Sequence, residues 1–221
     1  AIVYDAPDVW TLGDDSEPSL DVWMRTAGFA GARNLCFSHV PKDTDWTIWL
    51  DTDDVFAADM PLRKVCEAAG PNISGIAMPY LYFRDSYGNV TTIFDRERVL
   101  RMAHGPVWLA PLHETVTMSS MHEWLRPYEK REQSPCWIEH KNREETGKGE
   151  RNFHLLNRWI AKEPNSSRPM WYLGMQHFAR DDWEEASTWF EKAALARQGL
   201  NLESWQALVF ASKCYRSLGQ N

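Results

Sequence analysis

The chain has 221 residues, 43% of them hydrophobic and 25% charged, which is the composition of an ordinary soluble globular protein. Its net charge of −7 argues against broad, nonspecific adhesion to nucleic acid or to acidic membranes. No apolar run approaches the roughly 20 residues that span a bilayer, so we expect no membrane span. The four cysteines form no C-x-x-C pair, which disfavours a zinc ribbon and favours reduced thiols in a cytoplasmic protein.

Apolar spacing and turn-forming residues predict a first half that mixes helices and strands. Pro61 in the first turn and Gly70 beyond the end delimit one of these helices. The turn-rich segment 85–89 joins two strands into a hairpin. The predicted elements are a helix at Phe29–His39, a strand at Thr47–Leu50, a helix at Pro61–Ala69, strands at Ile73–Phe83 and Val90–Phe94, a strand from Val107, and a strand at Cys136–His140. We expect Lys141–Glu150 to be a mobile surface loop, a candidate lid.

The strand at Thr47–Leu50 runs directly into three carboxylates, those of Asp51, Asp53 and Asp54. A short apolar run of this kind fits a strand buried on both faces of a mostly parallel sheet, and such sheets bind ligands beyond the carboxyl ends of their strands. Neighbouring carboxylates resist desolvation, and Mg²⁺ or Mn²⁺ removes that conflict. The alternative is that these acids cap the next helix and line a solvated turn.

From Asn152 onward the pattern changes to helices with alanine-rich faces. Small and aromatic residues in this part fall at the spacings of a tetratricopeptide helix pair. They are Leu173, Gly174, Phe178, Ala186, Phe190 and Ala193. We therefore predict two regions, a domain over residues 1–150 and a tetratricopeptide-like helical region over residues 151–221, through which the chain could form a homo-oligomer.

Several segments, taken in their order along the chain, resemble one family. They are Gly31-Ala32-Arg33-Asn34, Trp46-Thr47-Ile48-Trp49-Leu50-Asp51-Thr52-Asp53-Asp54, Leu112-His113-Glu114 and His140, followed by the helical tail. The set is similar to the family-2 glycosyltransferases of GT-A fold, in the bacterial and phage branch that carries tetratricopeptide repeats. The resemblance implies a Rossmann-like α/β domain with a mostly parallel sheet and flanking helices. The chain departs from the family in one respect: the first strand and the second acidic motif that cradle the nucleotide base are not visible, so we expect the first part of the domain to be missing here.

The resemblance assigns roles to particular residues. Asp53 would bind a divalent cation, Mn²⁺ or Mg²⁺, with Asp51 and His140 as further metal ligands. The residues that would bind a nucleotide sugar, in the first place a UDP-sugar, are Arg33, Asn34, Asp51, Lys141 and Arg143. His113 and Glu114 would face the acceptor, with Glu114 as the general base of an inverting transfer. The acceptor could be a protein, a glycan or a modified DNA base.

The residues themselves leave other functions open. His113 could instead be a strand-end histidine bonded to the backbone, and His140 an exposed residue beside a loop. The whole chain could be a tetratricopeptide interaction protein whose transferase-like domain is inactive. Acid clusters also occur in metal-dependent phosphohydrolases, which would release phosphate from simple esters without any acceptor.

Overall fold

The computed structural model describes residues 28–119, 123–125, 127, 134–141, 148–196 and 201–219. These residues form two compact units. The sheet unit comprises residues 32–109 and 114–141, and the helical unit comprises residues 28–31, 110–113 and 148–219. Helices and strands are both abundant in the described part, which confirms the mixed α/β class.

The described residues contain eight strands and six α-helices. The strands are β1 (Trp46–Ile48), β2 (Asp54–Ala58), β3 (Ile73–Arg84), β4 (Val90–Arg101), β5 (Pro106–Leu109), β6 (Thr115–Met118), β7 (Glu123–Leu125) and β8 (Cys136–His140). The helices are α1 (Gly28–Ser38), α2 (Leu62–Ala68), α3 (Lys148–Lys162), α4 (Ser167–Phe178), α5 (Trp183–Leu195) and α6 (Asn201–Ser217). The helices predicted at Phe29–His39 and Pro61–Ala69 are confirmed within one residue at each end, as is the strand at Cys136–His140.

The larger sheet has the strand order β1-β4-β3-β8-β2, and β7 also pairs with β3. Three of its pairings are antiparallel, and only β7 and β8 run parallel to β3. This corrects the expected mostly parallel order for the described residues. The physical reason is the tight turn at 85–89, because a two-strand hairpin fixes an antiparallel pair at the centre of the sheet.

The strand before the acidic residues also differs from the expectation. It was predicted to be buried on both faces, but β1 pairs only with β4 in the described sheet, and Ile48 is 38% exposed. The strand stops before Trp49, whose backbone N–H donates to the carbonyl of Arg98 at 3.1 Å. The acids therefore follow an edge strand. The last of them, Asp54, is the first residue of β2, which stands at the opposite end of the strand order from β1.

The hairpin of β3 and β4 forms the centre of the sheet unit. Asp85 accepts the backbone N–H groups of Tyr87 and Asn89, at 3.0 and 2.8 Å, and Gly88 supplies the left-handed conformation with a φ of 87°. Near the other end, the register shifts between Ile76 and Ala77, so that Arg98 has no partner opposite it on β3. A bulge of this kind re-aims a side chain, here that of Arg98.

The core of the sheet unit lies on one face of this hairpin. It is built from α2, β3, β4 and β8, and its β3 members, Ile76, Met78 and Tyr80, occupy alternate positions and so share one face of the sheet. Its buried members are Val65, Ile76, Met78, Tyr80, Val99, Cys136 and Ile138. Tyr80 thus belongs both to the core and, through its hydroxyl, to a polar cluster at the strand ends.

The helical unit packs α4 closely against α5. A Cβ on Gly174 would lie 2.7 Å from the ring of Phe190, which is fully buried, so the glycine is what allows the helices to approach. Ala186 and Ala193 are also fully buried. In the described part of the chain, no helix combines the length and the apolar character that a membrane crossing requires.

The domain boundary predicted at residue 150 stays a prediction. Of the loop predicted at Lys141–Glu150, residues 148–150 belong to α3, and residues 142–147 lie outside the described residues. Arg143, predicted to bind the nucleotide sugar, falls in that range.

We predict that Gly174→Ala lowers the free energy of unfolding, because the added methyl overlaps a ring that is buried on all sides. Overpacking lowers the free energy of unfolding by about 1–3 kcal/mol, and the better helix propensity of alanine offsets up to about 1 kcal/mol of that loss. Gly149→Ala in α3 is the matched control, since its Cβ would meet only the flexible end of Arg180. Urea denaturation of the full chain measures both, and equal stability of the two variants would contradict the close packing of α4 on α5.

Candidate metal centre

A short turn between β1 and β2 carries the acidic residues. The N–H of Asp54 donates to the carbonyl of Asp51 at 3.0 Å, and the N–H of Asp51 donates to Asp54 Oδ2 at 3.1 Å. These two bonds close the turn and hold the Asp54 carboxylate against the backbone of Asp51. Asp54 is also the register partner of His140, because β2 and β8 run antiparallel and these residues stand opposite each other.

Asp53, Asp54 and His140 form a group that could hold a metal ion. One ligand atom from each lies within 4.8 Å of the others. His140 Nδ1 is 3.3 Å from Asp54 Oδ1 and 3.7 Å from Asp53 Oδ2. Ligand atoms at right angles on a cation with bonds of about 2.1 Å lie about 3 Å apart, and carboxylate oxygens with an imidazole suit Mn²⁺ or Mg²⁺. The donor set and its spacing therefore fit such an ion.

The carboxylate of Asp54 is already satisfied by protein groups. Tyr80 donates its hydroxyl to Asp54 Oδ1 at 2.8 Å, and the same hydroxyl lies 3.0 Å from His140 Nδ1. Burial and the neighbouring Asp54 carboxylate raise the pKa of Tyr80, so the hydroxyl stays protonated and is the donor. Asp53 is consequently the carboxylate of the group with more capacity left for a cation.

A buried arginine balances the charge of Asp54. Arg98 Nη1 lies 2.8 Å from Asp54 Oδ2, and the two side chains are 1% and 0% exposed. The guanidinium carbon of Arg98 is 3.9 Å from the ring centre of Trp49 and 4.3 Å from that of Tyr80. Burial lowers the pKa of Arg98, while Asp54 acts in the opposite direction. Nη1 makes no aligned hydrogen bond, so the contact is an ion pair.

A second arginine holds Asp51. Arg33 Nη2 donates to Asp51 Oδ1 at 2.7 Å, and Arg33 Nε donates to Glu114 Oε1 at 2.7 Å. Burial alone would lower the pKa of Arg33, but the two carboxylates raise it on balance. Burial would likewise raise the pKa of Asp51, but the Arg33 guanidinium lowers it on balance. The structure thus brings together three of the predicted residues, Arg33, Asp51 and Glu114.

The remaining predicted residues have separate settings. Asn34 exchanges two hydrogen bonds of 2.9 Å with the backbone of Trp108, which ties α1 to β5. Lys141 donates its ammonium to Glu139 at 2.7 Å, and its backbone N–H donates to the carbonyl of Asp53, also at 2.7 Å. His113 belongs to the helical unit, where its ring stacks on Tyr172 with centroids 3.8 Å apart.

Asp51, although predicted as a metal ligand, lies outside the group that could hold a metal ion. It is not part of the group formed by Asp53, Asp54 and His140, since its side chain turns to Arg33 instead. Its carboxylate is nevertheless 42% exposed, which leaves it accessible to a ligand. Asp53, at 15% exposure, and His140, at 11%, are more enclosed.

Sequence reasoning missed three residues of the site, Asp54 as an anchored carboxylate, Tyr80 and Arg98. Tyr80 and Tyr82 alternate along β3, and the ring of Tyr82 stacks on His140 with centroids 4.9 Å apart. Residues two positions apart on a strand share one face, so this pair of tyrosines indicated hydroxyl groups on one face of β3. For Arg98 no local signal existed, because a charged residue in a charged run is ordinarily exposed, and only the bulge turns it inward.

No family model and no curated protein matches this chain.

We predict that Arg98→Met lowers the free energy of unfolding by about 3–5 kcal/mol, because it leaves the Asp54 carboxylate buried without its cation. Adding Asp54→Asn should restore part of that loss, since a neutral amide needs no counter-charge. Arg84→Met, at a side chain 39% exposed, is the matched control and should change stability by less than about 0.5 kcal/mol. Urea denaturation measures all of these variants; equal midpoints for Arg98→Met and Arg84→Met would contradict the buried pair.

Proposed function

We propose that the chain is a metal-dependent, inverting glycosyltransferase that moves a sugar from a nucleoside-diphosphate sugar to a hydroxyl or other nucleophilic acceptor. One observation carries the proposal. Two carboxylates of the acidic turn meet His140, which lies 86 residues beyond Asp54 in the chain, at the shared end of β2 and β8. One carboxylate of the D-x-D motif, that of Asp53, close to a late histidine is the feature expected from the family resemblance.

In this proposal, Asp53 and His140 hold the cation and Asp51 contacts the nucleotide. A bound Mn²⁺ or Mg²⁺ would stabilise the negative charge that develops on the departing diphosphate. The backbone N–H of Lys141 is bonded to the carbonyl of Asp53. The positively charged ammonium group of Lys141 would therefore lie near the diphosphate once it leaves Glu139. Asp54, Tyr80 and Arg98 keep the turn and the imidazole in position.

The finer description of the fold belongs to the same proposal. We infer a GT-A type domain followed by a tetratricopeptide-like region. The close packing of Gly174 on Phe190, together with the burial of Ala186 and Ala193, supports the repeat, because small residues at these positions let paired helices approach. Exposed apolar residues on α6, Trp205 and Leu208, would suit the stacking of a further helix or a second copy.

The acceptor must lose a proton as it attacks the anomeric carbon. The two residues predicted to face it are engaged otherwise, Glu114 with Arg33 and His113 with Tyr172, so the proposal names no base. A protein side chain, a glycan or a modified DNA base would each provide a suitable nucleophile. UDP-sugars are the first donors to examine.

We predict that Mn²⁺ together with UDP raises the melting temperature of the chain by several degrees, because a ligand at 100 times its Kd adds about 2.7 kcal/mol. Asp53→Ala should abolish the shift, and EDTA should abolish it in the unaltered chain. Asp59→Ala removes an exposed carboxylate just beyond β2 and is the matched control. Differential scanning fluorimetry gives the measurement.

The absence of any shift with Mn²⁺ and UDP would favour the competing interaction protein with an inactive domain. A shift with Mn²⁺ alone, together with phosphate release from simple esters, would favour the phosphohydrolase. Diphosphate release from a panel of nucleotide sugars, each supplied with Mn²⁺, then identifies the donor.

A further inference from the structure

Arg33 lies in a setting that is built around its guanidinium. Two carboxylates, of Asp51 and Glu114, each accept a hydrogen bond of 2.7 Å from it. Its guanidinium carbon is 4.2 Å from the ring centre of Trp49 and 5.1 Å from that of Trp108. Guanidinium groups bind planar partners and aromatic faces in this way when they are fixed in one orientation. Arg33 is therefore a fixed bridge, and two of its N–H groups are already used.

Glu114 is fastened at both its side chain and its backbone. The carboxylate accepts from Arg33, the carbonyl accepts from Arg96 Nη2 at 3.0 Å, and the residue is 7% exposed. A general base must come within hydrogen-bond reach of the acceptor hydroxyl and take up its proton. Glu114 Oε1 is already engaged by Arg33, and the side chain is only 10% exposed, so an acceptor hydroxyl has little access to this carboxylate.

Asp51 is the exposed end of this chain of contacts. Its Oδ1 is held by Arg33, its backbone N–H is held by Asp54 Oδ2 at 3.1 Å, and its side chain is 42% exposed. The contacts with Arg33 and Asp54 thus hold Asp51 in place while part of its carboxylate stays exposed to solvent. Outer contacts that orient a ligating group commonly change ligand affinity by 10- to 100-fold when they are removed.

We infer that Glu114 and Arg33 are positioning residues, which hold Asp51 in the orientation that binds the nucleoside diphosphate, and that Glu114 is not the general base. The inference rests on the proposed function, because Asp51 has a nucleotide to contact only if the chain binds one. It changes the roles that the sequence predicted for two residues, Glu114 as the base and Arg33 as a direct nucleotide contact.

Binding of UDP and Mn²⁺ separates the two roles of Glu114, because a base that acts on the acceptor makes no contribution to UDP affinity. Calorimetry on the full chain should show about 10-fold weaker UDP binding in Glu114→Ala at saturating Mn²⁺. Glu114→Gln should recover most of that loss, since the amide oxygen still accepts from Arg33 Nε. Glu123→Gln, on the exposed strand β7, is the matched control and should bind as the unaltered chain does.

Unchanged UDP affinity in Glu114→Ala would overturn the inference. If that variant does not fold, Arg33→Lys is measured alone and together with Asp51→Ala, because a residue that acts only through Asp51 has no effect once the Asp51 carboxylate is gone. Weaker UDP binding in Arg33→Lys alone, with no further loss when it is added to Asp51→Ala, supports the positioning role. Unchanged binding in Arg33→Lys alone, or a further loss in the double variant, overturns it. An unaltered chain that binds neither Mn²⁺ nor UDP would overturn the proposed function, and the inference with it.

Discussion

The buried ion pair of Arg98 and Asp54 is the interaction on which the site depends. Both side chains are almost fully excluded from solvent, so each charge would be strongly unfavourable without the other. The rings of Trp49 and Tyr80 cover the guanidinium, and the Tyr80 hydroxyl completes the bonding of Asp54. Asp54 Oδ2 also accepts the N–H of Asp51, so the pair holds the backbone at the start of the acidic turn.

The charges of the acidic turn are balanced unequally. Arg98 pairs with Asp54, and Arg33 pairs with both Asp51 and Glu114, but Asp53 faces His140 at 3.7 Å beside the carboxylate of Asp54. Neighbouring carboxylates raise the free energy of each other's ionised form, and a divalent cation relieves that repulsion. The two arginines therefore separate the structural acids from the one acid that a cation would still stabilise. This asymmetry, rather than the number of acids, supports a metal centre.

Local sequence signals predicted much of the sheet unit. The turn at 85–89, the proline and glycine around α2, and the apolar run of β8 determine structure over a few neighbouring residues, and the corresponding elements formed where expected. The pairing of strands was not predictable in this way. Whether Thr47 lies beside β4 at the edge or within a parallel sheet depends on contacts more than fifty positions away, and the hairpin decides it.

The candidate site was predictable in part for the same reason. The acids after β1 and the histidine at the end of β8 stand out by residue type, so Asp53 and His140 were found from the sequence. Arg98 and Tyr80 were not, because their roles come from a bulge in β4 and from the register of β3 with β8. Glu114 was predicted, from the family resemblance, to be the general base, but no local pattern predicted its hydrogen bond to Arg33, 81 residues away in the chain.

The most direct test of a cation at this place is anomalous diffraction at the manganese absorption edge, from crystals grown with Mn²⁺ and UDP. The account predicts one strong peak within bonding distance of an Asp53 carboxylate oxygen and an imidazole nitrogen of His140, with the ion pair of Arg98 and Asp54 intact beside it. Bound UDP with no manganese peak at Asp53 and His140, or manganese bound only elsewhere on the chain, would contradict it.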